Sequence, residues 1–323
     1  MERILVIKLS ALGDFGLATG PMRRIREAHP GAHVTLLTTP PYAPLGEALG
    51  LFDAVWAEGR ERSLGAWLRL ARRLRGGRFN RVYDLHTSDR SSVYRLLFWP
   101  RFPQWSGIAR GASHPHRNPD RDRMHTLERQ AQQLEDAGIW PNAPVTPGSA
   151  PAADLSMLTD ASVLTRLGVT APFALLIPGA SAKRGGKRWP LNRYVALATL
   201  LADAGLTPVV VGGPAEAADG RHILSAEPRA VSTAGLTSYG DLAALGAGAA
   251  VAVGNDTGPV HLVAAAGAPT LVLFGPESDP AICAPRGPAV KVLARERLAD
   301  LDVDTVAAAA LALARLAGRP LPP

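Results

Sequence analysis

The chain has 323 residues. A single hydrophobic core stops growing at roughly 250–300 residues, so two domains are expected. Hydrophobic residues make up 47% and charged residues 20%, which excludes a globally disordered chain. The formal charge of +7 is lopsided: residues 1–150 carry 21 basic and 14 acidic side chains, and residues 151–323 carry 14 of each. Such an excess points to an acidic partner for the first half, or to an arginine-rich composition without functional meaning.

Short apolar, β-branched runs alternate with longer helix-like segments. In the first half the pattern predicts strands at Arg3–Leu9, His33–Thr38, Ala54–Ala57, Arg81–Leu85 and Trp105–Ile108. Helices are predicted near Gly16–Ala28, Ser63–Arg75 and Ser91–Phe98. A proline-rich stretch from Pro141 to Pro151 reads as the linker. In the second half strands are predicted near Phe173–Ile177, Pro208–Val211, Ala249–Val253, Thr270–Phe274 and Val290–Leu293. Helices follow near Leu191–Ala204, Pro214–Ser225, Ser238–Gly246, Gly258–Ala266 and Asp304–Leu316. Continuous apolar strands are buried on both faces, so both halves are expected to be α/β domains with parallel sheets. The boundary is expected at 150/151, and the carboxyl ends of both sheets are expected to face an interdomain cleft.

One cysteine, Cys283, excludes an internal disulfide and a Cys-based metal cluster. The first apolar run is interrupted at Lys8 and Asp14, unlike a secretory leader, and the longest uncharged apolar stretch is far short of the roughly 18–20 residues of a membrane span. A soluble protein of a reducing cytoplasm is therefore expected.

Four segments carry candidate chemistry, each after a predicted strand. Lys8 to Gly16 ends strand one and opens a helix; Asp14 there is either an N-cap or a carboxylate able to take a proton. Pro178 to Pro190 holds Lys183, Arg184, Lys187, Arg188 and three glycines, a basic glycine-rich loop suited to phosphate but not a P-loop. Val209 to Glu216 ends a strand in two glycines, with Glu216 able to accept hydrogen bonds from a ribose diol. Val253 to His261, the most specific of the four, ends a strand at Asn255-Asp256-Thr257-Gly258 and starts a helix at Pro259, where free N–H groups suit an anion. Asp256 would repel a diphosphate aimed at it, so it caps the turn or meets a sugar hydroxyl. The stretch Arg110–Arg129 reads as a mobile basic loop for an anionic ligand or, equally, as a solvated loop. Its His114-Pro115-His116 element lacks further metal ligands, so no metal site is expected.

These segments, in this order, resemble glycosyltransferase family 9, the heptosyltransferases of lipopolysaccharide core synthesis. The resemblance rests on IKLSALGDFGLATGPMRRIREAHPGAHV, PGAS…KRWP, VVVGGPAE and GNDTGPVHLVAAAGAPTLVLFGP, and spans nearly the whole chain. It implies a GT-B fold of two Rossmann-like domains, the acceptor on residues 1–150 and the nucleotide-sugar on 151–323. It implies inverting transfer of heptose from ADP-heptose to the Kdo/heptose inner core, with Asp14 as general base. It assigns Lys187, Glu216, Asp256, Thr257, Gly258 and His261 to the donor, and Lys8, Arg60 and Arg62 to the acceptor. It further implies no required cofactor, an anionic lipid A–Kdo acceptor, and a cytoplasmic enzyme peripheral on the inner face of the inner membrane. The alternatives are a sugar-nucleotide epimerase of the same fold and a basic nucleic-acid-binding protein. The arginines lack the interleaved aromatic pattern and recognition helix of the latter.

Overall fold

The computed structural model describes residues 1–58, 63–140, 153–180 and 185–319. Arg60, Arg62, Lys183, Arg184 and the proline-rich stretch 141–151 lie outside the described residues. The chain divides into two compact units, Met1–Ala153 and Asp154–Pro323.

The first unit holds a parallel sheet of β1 (Arg3–Ile7), β2 (His33–Thr38), β3 (Ala54–Ala57), β4 (Arg81–Asp84), β5 (Gln104–Gly107) and β6 (His114–Pro115), in the order β3-β2-β1-β4-β5-β6. The second holds β7 (Phe173–Ile177), β8 (Thr207–Val210), β9 (Val231–Ser232), β10 (Val251–Asn255), β11 (Thr270–Phe274) and β12 (Val290–Ala294), in the order β12-β11-β10-β7-β8-β9. Counted within each unit, both sheets have the doubly wound order 3-2-1-4-5-6. The chain reverses direction across β1/β4 in one and β7/β10 in the other. Ligands of open α/β sheets bind beyond the carboxyl ends of the strands at that reversal. The pairs that end there are Ile7 beside Asp84, and Ile177 beside Gly254.

Burial explains why these runs form central strands. Ile4, Leu5, Val6 and Ile7 are all fully buried, and so are the five residues of β7 and β11. Alternate residues serve opposite faces. Leu5 and Ile7 join Leu70, Leu74, Phe98 and Trp105 in one cluster. In the second unit Leu176, Val253 and Leu273 pack with Tyr194, Leu197 and Val306 from the helices Leu191–Asp203 and Val303–Leu316.

Three differences from the sequence reading have local physical causes. β10 runs two residues past its predicted end, to Asn255. Gly254 sits inside the strand because its neighbours leave no room: a Cβ there would stand 2.7 Å from Ile177 Cβ and 2.6 Å from Val260 Cγ2. Gly254→Ala is expected to destabilise the second unit by about 1–3 kcal/mol through overpacking, measurable as a lower midpoint in denaturant unfolding. The first helix begins at Leu12, four residues earlier than its pattern suggests, and continues through Pro21. The basic stretch after Arg110 is not simply a loop. It forms β6 and the helix Thr126–Asp136, whose buried face includes Glu128, Gln130 and Gln133. Its Leu127, Ala131 and Leu134 follow the i, i+4, i+7 spacing of a helix, a pattern that the basic-loop reading passed over.

Candidate active site

At the carboxyl end of the first sheet, β1 delivers Lys8 and the following helix delivers Asp14. The helix N-cap is Ala11, in extended backbone, so Asp14 is the third helical residue and does not cap it. It is half-buried and makes no hydrogen bond to a described residue. Its charge sits in the first turn, where the helix dipole favours an anion. Lys8 is buried, and its ammonium donates to the Leu85 carbonyl at 3.3 Å. Burial lowers its pKa; the carboxylates of Asp14 and Asp84 oppose that shift, and the Arg129 guanidinium adds to it.

Asp84 went unread in the sequence, and Arg129 was read only as part of a basic loop. Asp84, the last residue of β4, is fully buried, and its Oδ1 accepts the backbone N–H groups of His86 (3.1 Å) and Thr87 (3.0 Å). Burial pushes its pKa up to about 6, against the pull of the Ser91 hydroxyl, those two N–H groups and Lys8. Arg129, on the helix Thr126–Asp136, has its pKa lowered by burial and by Arg121, while Asp14 raises it. Glutamines seat that helix on the sheet: Gln133 donates to Asp84 O at 3.0 Å and Gln130 to Leu85 O at 3.4 Å. His116 is buried and its Nε2 meets Gln132 Oε1 at 3.0 Å, a structural contact.

The Asp84 shift sets a pH dependence. A folded pKa above the unfolded value means that the native state binds more protons between about pH 4 and 6. Stability from this group is therefore full below pH 4 and is lost as pH rises through about 6. Melting curves of Asp84→Asn against the parent should show a flatter profile between pH 4.5 and 7, within the window set by those values. Equal slopes would contradict the assignment.

At the carboxyl end of the second sheet the side chains interlock. Asn255 is buried at the end of β10 and organises the backbone around it. Its Oδ1 accepts Trp189 N (3.0 Å) and Tyr194 Oη (3.1 Å), and its Nδ2 donates to Pro178 O (2.7 Å). The loop after β7 is thereby tied to the end of β10. Asp256 follows. Lys187 Nζ donates to its Oδ2, Ser278 Oγ donates to the same oxygen at 2.5 Å, and His261 Nε2 lies 3.7 Å from Oδ1. Burial alone would raise the Asp256 pKa. The contacts with His261, Lys187 and Ser278 outweigh it and hold the carboxyl well below the usual range. Lys187 and Asp256 are thus a buried, mutually neutralising pair. Two of the three ammonium protons of Lys187 remain for another acceptor.

Thr257 is the extended N-cap of the helix Gly258–Ala265, which no side chain caps and which has Pro259 in its first turn. Such an end presents backbone N–H groups to an anion. Beside β7 and β8, Glu216 Oε2 accepts Gly213 N at 2.9 Å, and its Oε1 lies 3.8 Å from Arg188. Gly179 and Gly212 permit this approach, since a Cβ on either would fall within 3 Å of the Glu216 side chain. Of the sequence-predicted donor residues, Lys187, Asp256 and His261 are brought into direct contact, Thr257 and Gly258 adjoin them, and Glu216 is held by Gly213 and Arg188. Ser278 is an addition that no sequence pattern signalled. Among the described residues no group of three or more His, Cys, Asp or Glu is arranged to hold a metal, and no helix is long and apolar enough to cross a membrane.

Comparison with known proteins bears on the family and the fold. Residues 67–306 match the model of glycosyltransferase family 9 (heptosyltransferase). The chain is 27% identical over 309 residues to lipopolysaccharide heptosyltransferase 2 of Escherichia coli K12, covering 85% of this chain and 83% of that protein. It is 26% identical over 304 residues to lipopolysaccharide heptosyltransferase 2 of Salmonella typhimurium LT2, with the same coverage. Its fold matches that of the E. coli ADP-heptose LPS heptosyltransferase II structure with a TM-score of 0.81 at 22% identity, over 98% of this chain and 99% of the other. The GT-B architecture expected from the resemblance is therefore present. This chain belongs to glycosyltransferase family 9, the heptosyltransferases, and is a glycosyltransferase.

Proposed function

We propose that the chain moves heptose from ADP-heptose to a sugar hydroxyl of the acidic, lipid-linked Kdo/heptose inner core, with inversion at the anomeric carbon. The relatives named for lipopolysaccharide and ADP-heptose motivate donor and acceptor. One observation carries the division of labour: two of the carboxylates at the sheet ends, Asp14 and Asp256, have opposite environments. Asp14 is half-exposed and makes no hydrogen bond to a described residue, so it is available to take a proton. Asp256 is buried and triply held, so it is not. Pairs of carboxylates in contrasting environments divide chemical from structural roles.

In this reading the acceptor hydroxyl oxygen attacks the anomeric carbon while the bond to ADP breaks. The electron pair leaves with the diphosphate, and Asp14 receives the hydroxyl proton. General-base assistance supplies about 10²–10⁴-fold, so alignment and stabilisation of the leaving diphosphate supply the rest. Lys187 and the N–H groups at Thr257 and Gly258 suit the diphosphate. Asp256 holds the Lys187 ammonium in place, His261 adjoins that pair, and Glu216 suits the ribose. Residues 151–323 are then the donor domain, and no metal or other cofactor is required. Residues 1–150 are the acceptor domain, with Lys8, Arg60 and Arg62 assigned to acidic groups of the acceptor. The enzyme would work in the cytoplasm at the inner face of the inner membrane, with no role in nucleic-acid binding.

Release of ADP from ADP-heptose tests this reading. It should depend on added Kdo-bearing lipid A. Donor turnover that is indifferent to the acceptor would overturn it and favour epimerisation.

A further inference from the structure

The charge asymmetry of the first half is concentrated in one region. Residues 63–102 hold nine arginines against two aspartates, an excess as large as the net +7 of the whole chain. One of those aspartates, Asp84, is fully buried. The same region exposes large apolar side chains for a reason visible in its packing. In the turn Arg95–Phe98, Phe98 points inward and packs edge-on against Phe79 and Trp105, with centroids 6.5 and 6.1 Å away. Anchoring Phe98 turns its neighbours outward: Leu96 is 62% exposed, Trp99 65% and Phe102 43%. Arginines frame them. Arg75 Nε donates to Leu97 O at 2.8 Å, which ties the helix Leu64–Gly76 to the turn, and the Arg95 guanidinium lies 4.6 Å from the Phe102 ring centroid. On that helix Leu68 is 51% exposed, and Arg72 lies one turn further along.

We infer that this face, centred on Leu96, Trp99 and Phe102, docks the enzyme on an anionic lipid bilayer. The inference deepens the reading that the first unit receives a lipid-borne acceptor, and supplies the surface by which it reaches it. Contiguous exposed apolar groups mark an interaction surface. Tryptophan and phenylalanine suit the headgroup boundary, where an apolar ring can be buried beside water. Arginine stems lie along apolar surface while their guanidinium groups reach phosphate. Arg73 is paired with Glu58, but the other arginines of the helix and turn give an excess of positive charge that attracts anionic lipid, and the attraction is screened by salt. A nucleic acid would use the arginines but leave Leu96 and Leu68 without a role.

Co-sedimentation with phosphatidylcholine vesicles, with and without phosphatidylglycerol, tests the inference, alongside calorimetric titration of ADP. The full chain should bind the anionic vesicles and not the neutral ones, and salt should weaken binding. Leu96→Ser/Trp99→Ser and, separately, Arg72→Glu/Arg101→Glu should each reduce vesicle binding at least tenfold, with unchanged melting temperature and ADP affinity. Indifference of the parent chain to phosphatidylglycerol overturns the inference. So does unimpaired vesicle binding by the folded variants. A dimer that Leu96→Ser/Trp99→Ser dissolves, or duplex DNA binding in place of vesicle binding, also overturns it by assigning the face to another occupant. Vesicle binding without ADP binding would support the docking face and overturn the donor reading; ADP binding without vesicle binding would do the reverse.

Discussion

Asp14→Asn is expected to reduce turnover by at least about 10²-fold while leaving ADP affinity unchanged. The substitution keeps the size and shape of the side chain and removes its negative charge and its capacity to accept a proton. Asp14 has no described hydrogen-bond partner to lose. Its structural contribution is its charge in the first turn of Leu12–Ala28, worth about 0.3–1 kcal/mol. Stability should therefore change little, and the kinetic loss should fall on kcat. Removing the Asp14 charge also takes away a group that opposes the burial-lowered pKa of Lys8. Steady-state kinetics with saturating ADP-heptose, beside ADP calorimetry, gives both readouts. Turnover within a few-fold of the parent would leave Asp14 with only its helix-dipole role.

Lys187→Met should have two separable effects. The first is on stability. Removing one partner of a buried ion pair strands the other charge and costs about 3–5 kcal/mol. Ser278 and His261 still contact Asp256, so the lower end is expected. The Asp256 pKa is depressed in the folded state, so its stabilisation is present at neutral pH and is lost only as pH falls below about 4. The second effect is on the donor: ADP should bind at least about tenfold more weakly, since tenfold corresponds to about 1.4 kcal/mol and a charge-assisted hydrogen bond contributes about 1.5–3 kcal/mol. The double variant Lys187→Met/Asp256→Leu separates the two. It removes the stranded charge and should recover much of the stability without recovering ADP affinity. Parent-like ADP binding by Lys187→Met would confine Lys187 to a structural role.

Much of this architecture was legible because it is written in continuous apolar runs. The stretches at Ile4–Ile7, Phe173–Ile177 and Thr270–Phe274 cannot be half-exposed strands, and they form the centres of two parallel sheets. The turns that follow them were legible for a related reason, since glycines and small polar residues after a buried strand mark where the chain must reverse. What escaped was chemistry created by burial. Asp84 reads in sequence as the polar end of a short strand, and nothing local shows that it is fully enclosed. The helix Thr126–Asp136 carries an apolar stripe of Leu127, Ala131 and Leu134, but nothing local shows that Gln130 and Gln133 reach back to carbonyls at the end of β4. Ser278 lies 22 residues from Asp256, and only the fold brings the two together. Lys187 was read as a cation waiting for phosphate; the structure adds that a carboxylate already holds it.

The central claim is heptosyl transfer to an acidic glycolipid, and product analysis meets it most directly. The purified chain should be incubated with ADP-heptose and lipid A bearing Kdo or Kdo-heptose, and the lipid product read by mass spectrometry and by the anomeric coupling of the new sugar. The account predicts a mass increase of one heptose residue, an inverted anomeric centre, and loss of both signals in Asp14→Asn. An unmodified acceptor with the donor consumed, or a product of retained configuration, would contradict it.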